Sequence, residues 1–148
     1  PLKKRGERDA KTIGEWLVSN DLQPELILSS PAERALRTAK KACKAMGLNK
    51  EIIQTDEGIY NATPAMLKAV LHKCPPSIKR VMLVGHNPSL EELLADLLKT
   101  PVTLPDDGKL MPTAALAELQ FSAAWSKLDS HCANLVRITR VKTLYISD

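Results

Sequence analysis

Residues 25–39 read Glu-Leu-Ile-Leu-Ser-Ser-Pro-Ala-Glu-Arg-Ala-Leu-Arg-Thr-Ala. The opening five form a short apolar run with polar neighbours, the pattern of a buried strand. Ser30, Pro31 and Glu33 then form a helix start, with a hydroxyl at the N-cap, proline at the first position and a carboxylate at the third, a capping box. Ala32, Ala35, Ala39, Ala42 and Met46 follow on one face, and Gly47 predicts the stop. A strand that feeds directly into a helix is the building block of a layered α/β fold.

The same order recurs on both sides of this segment. Ala10, Ile13, Trp16 and Leu17 predict a helix over residues 5–20, broken by Asn20-Asp21. Residues 50–54 predict a short strand. Thr63-Pro64 opens another helix with Met66, Leu67, Val70 and Leu71 on its face, and Pro75-Pro76 closes that region. Arg80–Val84 is a buried strand, Gly85-His86-Asn87-Pro88 a turn, and Leu90, Leu93, Leu94, Leu97 and Leu98 one face of the next helix. Residues 100–112 read as loop. Two β-like runs, Ala115–Phe121 and Leu135–Val141, flank a polar, hairpin-like stretch at Ser126–Ser130. The alternation predicts a three-layer α/β/α fold with a mostly parallel central sheet, and length predicts a single domain over residues 1–148.

Composition narrows the function. No apolar run reaches the ~18–20 residues that span a membrane, and no signal-peptide pattern opens the chain. Cys43, Cys74 and Cys132 are odd in number and lack a Cys-x-x-Cys pair, which argues against a disulfide framework and a structural zinc site and for the cytoplasm. Aromatic residues make up 3% of the chain, too few for base-stacking platforms, so a nucleic-acid role is not expected. Residues 1–50 carry 11 basic and 6 acidic side chains, against 10 and 11 in the remainder. A basic first third suits an anionic ligand, although a solvated helix face accounts for it equally well.

In parallel sheets, ligands bind beyond the carboxyl ends of the strands. Two such ends carry residues suited to phosphate. Arg34 sits in the first turn of its helix, where backbone N–H groups already favour an anion and a guanidinium adds a fixed fork of donors. His86 follows a strand and a glycine, placed to hold charge or pass a proton near neutral pH. Taken singly, Arg34 reads equally as a surface residue paired with Glu33, and His86 as a turn residue.

The two segments together resemble the histidine phosphatase superfamily. Ser30, Pro31, Arg34, Ala35, Thr38 and Ala39 match its Ser-Pro-x-x-Arg-Ala-x-x-Thr-Ala segment, and Val84-Gly85-His86-Asn87-Pro88 matches its second-histidine strand. Pro1-Leu2-Lys3-Lys4-Arg5-Gly6, with Ala10, is similar to the family's Pro-Leu-x-x-x-Gly segment, and Met111-Pro112-Thr113-Ala114-Ala115 resembles the SixA-like group. The four stand in family order, and the length leaves no room for a large inserted cap.

The resemblance implies a phosphoglycerate mutase-like fold and metal-independent phosphoryl transfer through a covalent phosphohistidine, with no cofactor. Arg34 and His86 would be catalytic and substrate-binding, and Asn87 and Thr113 would line the pocket. The substrate would be a phosphohistidine carrier protein or a small phosphoester. The family nucleophile belongs to an Arg-His-Gly or Arg-His-Ala strand preceding the Pro-Leu segment. No Arg-His pair occurs in the sequence, and His72 and His131 fall at a helix end and in a polar loop. The nucleophile is therefore expected upstream of Pro1. The alternative is a non-catalytic phosphate-binding or phosphoprotein-binding module on the same fold. Asp56 and Glu57 lie in the region of a family acid without being assigned.

One decoy stands apart. Cys74 to Arg80 fits the Cys-x5-Arg spacing of cysteine phosphatases. There the thiolate loop runs from strand to helix, whereas here a helix precedes and a strand follows, and two prolines remove N–H donors.

Overall fold

Leu26–Ser29 (β1) is buried along its whole length, with Ile27 fully inaccessible, because it has a strand on either side. The structure, a computed structural model, describes residues 3–102, 110–112 and 114–146. They include a parallel sheet in which β1 pairs with Ile53–Thr55 (β2) on one side and Val81–Val84 (β3) on the other. Ile27 aligns with Ile53 and Met82, and Ser29 with Thr55 and Val84, so all three strands end at one edge. β3 has a strand on one side only among the described residues and is correspondingly less buried than β1.

Lys4–Ser19 (α1) and Glu33–Ala45 (α2) pack against each other, and α2 also contacts the three strands. Ala35, Ala39 and Ala42 keep one face of α2 flat, and Ala10, Ile13 and Leu17 supply the apolar face of α1. Trp16, expected on that face, is only half-buried. Near the amino ends Arg37 donates to the Glu7 carboxylate, and further along Gly14 meets Ala42 and Ala45, so the helices run in the same direction. The guanidinium holds the Glu7 carboxyl below its usual range, but an exposed pair adds orientation more than stability. Gly47, at a φ of 69°, ends α2: its N–H bonds to Lys44 O and that of Leu48 to Cys43 O, the Schellman pattern.

The start of α2 departs from the capping-box reading. The helix begins at Glu33 behind Ala32, which makes no side-chain cap. Ser30 lies two residues ahead of that cap position: its N–H bonds to Val84 O at 3.0 Å, as an extension of the sheet, and its Oγ accepts from Ala32 N–H at 3.2 Å in the turn before the helix.

The chain divides into two compact units, Pro1–Tyr60 with Ser77–His86, and Asn61–Pro76 with Asn87–Asp148. The sheet, α1 and α2 make the first. In the second, Pro64–His72 (α3) is capped by Thr63 Oγ1, which accepts from Met66 N–H at 3.2 Å. Leu67, Val70 and Leu71 are buried in α3, whereas Met66, expected beside them, is exposed. α3 packs against Ser89–Leu97 (α4). The two C-terminal runs form Ala115–Gln120 (β4) and Asn134–Arg140 (β5), an antiparallel pair with a bulge at Glu118/Leu119. Val141–Ile146 (α5) follows. No helix among the described residues is long and apolar enough to cross a membrane.

A polar knot ties this unit. Lys68 Nζ lies 2.8 Å from Asp96 Oδ2 and donates to Ser130 Oγ at 3.0 Å, and Ser130 Oγ donates to Asp96 Oδ1 at 2.8 Å. The Lys68 ammonium, helped by Ser130, holds the Asp96 carboxyl below its usual range against the opposing effect of burial. A carboxyl with a depressed folded pKa stabilises the fold above its unfolded pKa and loses that contribution as pH falls through the folded value. Asp96→Asn is therefore expected to cost about 1–3 kcal/mol at neutral pH. The gap between variant and wild type should narrow as pH drops below about 4. Urea midpoints at the two pH values measure it; a gap independent of pH would remove the ion pair from the account.

Candidate active site

Three strand ends meet at the carboxyl edge of the sheet. β1 delivers Ser29-Ser30, β2 delivers Asp56, and β3 delivers Gly85-His86. The ends are laced by Ser30 N–H on Val84 O and Asp56 N–H on Ser29 O, at 3.0 and 3.1 Å. Ser30 is fully buried, and its Oγ lies 2.9 Å from His86 Nε2 while accepting from Ala32 N–H at 3.2 Å. Asp56 Oδ1 accepts from Gly58 N–H at 2.8 Å and so caps the tight turn Glu57–Ile59. That turn delivers Tyr60, whose ring meets the His86 ring edge-on at 5.6 Å and 85°.

Arg34 is the second residue of α2, at the helix end that follows β1. Its side chain is exposed, and the guanidinium makes no hydrogen bond or ion pair among the described residues; Glu33 is not its partner. Arg34 and His86 thus both lie at the carboxyl edge of the same three strands, next to the half-positive amino end of a helix. An anion there would meet a guanidinium, an imidazole and helix N–H groups, which is what a phosphoryl group needs.

The other sequence-assigned residues fall as follows. Asn87 is exposed, and its side-chain amide donates to Met111 O, while Glu91 Oε2 accepts from Met111 N–H at 2.8 Å. Asn87 therefore braces the segment before Pro112 with the same NH2 that a ligand would use. Thr113 lies outside the described residues. Glu57 is exposed at the start of its turn. His72 and His131 are exposed and have backbone carbonyl partners, Leu128 O and Leu98 O. Ser30 and Tyr60 were not singled out from sequence as site residues. Ser30 had been spent on the cap, and Tyr60 follows the acidic pair Asp56-Glu57 with no motif of its own.

The cysteine decoy fails on geometry. Arg80 stands at the amino end of β3, the edge opposite His86, and its guanidinium reaches the carbonyls of Asp21 and Gln23. Burial pushes the Cys74 thiol above its usual pKa, the opposite of what a nucleophilic thiolate requires. Among the described residues, no group of three or more His, Cys, Asp or Glu side chains is placed to hold a metal ion.

Residues 1–60 match the histidine phosphatase superfamily (branch 1). The first part of the chain is similar to this superfamily. The SixA protein of Agrobacterium tumefaciens is 26% identical, with a TM-score of 0.70 over 94% of this chain and 82% of that one. A SixA protein histidine phosphatase complexed with tungstate shares the fold at 17% identity, with a TM-score of 0.76 over 97% of this chain and 86% of that one. An uncharacterized protein of Mycobacterium tuberculosis is 27% identical over 140 residues, covering 92% of this chain and 85% of that protein. The α/β architecture with its parallel three-stranded sheet is thus the phosphoglycerate mutase-like fold of the histidine phosphatase superfamily.

Proposed function

We propose that the protein is a phosphatase of the SixA kind, which removes the phosphoryl group from a phosphohistidine carrier protein or a small phosphoester. The observation that carries this reading is the shared sheet edge of Arg34 and His86 beside the start of α2. Arg34 clamps phosphoryl oxygens and His86 donates to them as charge builds, and the family resemblance assigns Asn87 and Thr113 to substrate binding. An enzyme histidine attacks phosphorus, a P–N bond forms, and the bond to the leaving group breaks with a proton passing to it. Water then attacks phosphorus, the P–N bond breaks, and inorganic phosphate leaves. Splitting one displacement into two is covalent catalysis, and the positive pocket supplies the stabilisation, so the reading requires no metal or cofactor.

This reading assigns the nucleophile to an Arg-His strand upstream of Pro1 in family order, and treats residues 1–148 as one domain lacking that strand. β3, with one free edge among the described strands, offers a place for it. The SixA structure that carries tungstate, a tetrahedral oxyanion like phosphate, supports an oxyanion site on this fold. Free, buried Cys43 and Cys74 fit a cytoplasmic protein.

The test is to read the residues encoded before Pro1 and to assay the protein that includes them. Phosphate release from a phosphohistidine protein or an aryl phosphate, in the presence of a chelator, is the expected result. The absence of an Arg-His pair there, together with no release, sinks the enzyme and leaves the phosphate-binding module. In the same assay Cys74→Ser should retain near-normal turnover; a dead variant that still folds would revive the cysteine mechanism.

A further inference from the structure

The contact between Ser30 and His86 fixes more than a distance. Ser30 is fully buried, and one lone pair of its Oγ is used by the Ala32 N–H at 3.2 Å. The hydroxyl proton then needs an acceptor. His86 Nε2, at 2.9 Å, is the acceptor the structure provides among the described residues. Were Nε2 to carry the proton of a neutral ring instead, it would donate to Oγ and leave a buried hydroxyl proton unpaired. Tyr60 closes against the ring from a second direction, edge-on at 5.6 Å. His86 Nδ1 makes no hydrogen bond among the described residues.

We infer that Ser30 is the positioning residue for His86: its hydroxyl holds Nε2, selects the Nδ1–H tautomer, and leaves Nδ1–H as the donor presented to a bound oxyanion. The tautomer follows from local geometry alone; its use against a phosphoryl oxygen rests on the function proposed above. A free histidine in water favours the Nε2–H form, so Ser30 reverses a default.

The experiment is long-range proton–nitrogen correlation NMR on the 148-residue chain with 15N-labelled histidine, above the histidine titration range. His86 should appear as Nδ1–H. His72 and His131 serve as internal controls, because carbonyl oxygens only accept. His72 Nε2, 2.6 Å from Leu128 O, should carry its proton there, and His131 Nδ1, 3.1 Å from Leu98 O, should carry its own on Nδ1. In Ser30→Ala, His86 should lose a roughly tenfold tautomer bias, the worth of one hydrogen bond, and move towards Nε2–H with both controls unchanged. Ser30→Thr, which keeps the hydroxyl, should restore it. A wild-type His86 that is mainly Nε2–H, or a His86 tautomer untouched by Ser30→Ala, overturns the inference, and the wild-type spectrum decides even if the variant fails to fold. Inorganic phosphate added to the wild type separates the two claims: a His86 that is Nδ1–H yet blind to phosphate counts against the phosphatase reading and upholds the role of Ser30.

Discussion

Arg34→Ala and His86→Ala are each expected to lower phosphohistidine or aryl-phosphate turnover of the protein carrying the upstream Arg-His strand by about 100-fold or more. Each removes a donor aimed at charge that grows as the phosphoryl group is transferred, and such donors contribute little to the resting substrate. The fall should therefore appear in kcat as well as in kcat/KM. Arg34 is exposed and makes no partner contact among the described residues, so its loss should leave the melting temperature unchanged. Arg34→Lys should recover little, because an ammonium cannot reproduce the planar fork of a guanidinium. Arg37→Ala is the matched control: it lies one turn further along α2, is held by Glu7, and should keep near-normal turnover. Steady-state rates of these four variants make the comparison. Normal turnover in Arg34→Ala or His86→Ala would remove that residue from the site.

Gly14→Leu should damage the packing of α1 on α2. A Cβ built at Gly14 would stand 2.6 Å from Ala42 O and 2.7 Å from Ala45 Cβ. Neither neighbour is the far end of a flexible side chain, so the α1 and α2 backbones must separate. Overpacking of this kind costs about 1–3 kcal/mol, and the branched side chain that follows the Cβ argues for the upper end. At about 2–4 °C per kcal/mol for a chain of this size, the melting temperature should fall by roughly 5–10 °C. Gly14→Ala should be milder, since alanine regains about 1 kcal/mol of helix propensity. A thermal melt of Gly14→Leu that overlays wild type would show that the helices are not in backbone contact there.

Much of this architecture was readable from residues 1–148 before any coordinates. Leu26–Ser29 and Val81–Val84 stand out because both are short apolar runs closed by Ser-Pro or Gly-His, and α3 begins where Thr63-Pro64 says it should. Arg34 and His86 are legible as candidates because one lies in the first turn of the helix that follows a strand and the other follows a strand and a glycine. What sequence obscured is what the third dimension decides. Ser30 satisfies every local rule for a helix cap, yet α2 begins only at Glu33 and Ser30 continues the sheet through its N–H to the Val84 carbonyl of a neighbouring strand. Its hydroxyl meets a histidine 56 positions away, and no local pattern encodes that meeting. Met66 shares the spacing of Leu67 and Val70, and its exposure shows that periodicity marks a face only to within one residue. The two C-terminal runs are visible as strands around a hairpin-like stretch, but no residue in them announces the register shift between Glu118 and Leu119.

The uneven pairing of β1 and β3 has a dynamic consequence. In β1 every amide faces a neighbour, Ile53–Thr55 on one flank or Val81–Val84 on the other, whereas alternate amides of β3 face away from β1. Among the described residues no strand pairs with those outward amides, so in residues 1–148 taken alone they have no rung to break before deuterium reaches them, while β1 amides must await opening of the sheet. Protection within one four-residue strand should therefore alternate along β3, position by position, directly upstream of the histidine on which the chemistry is proposed to turn.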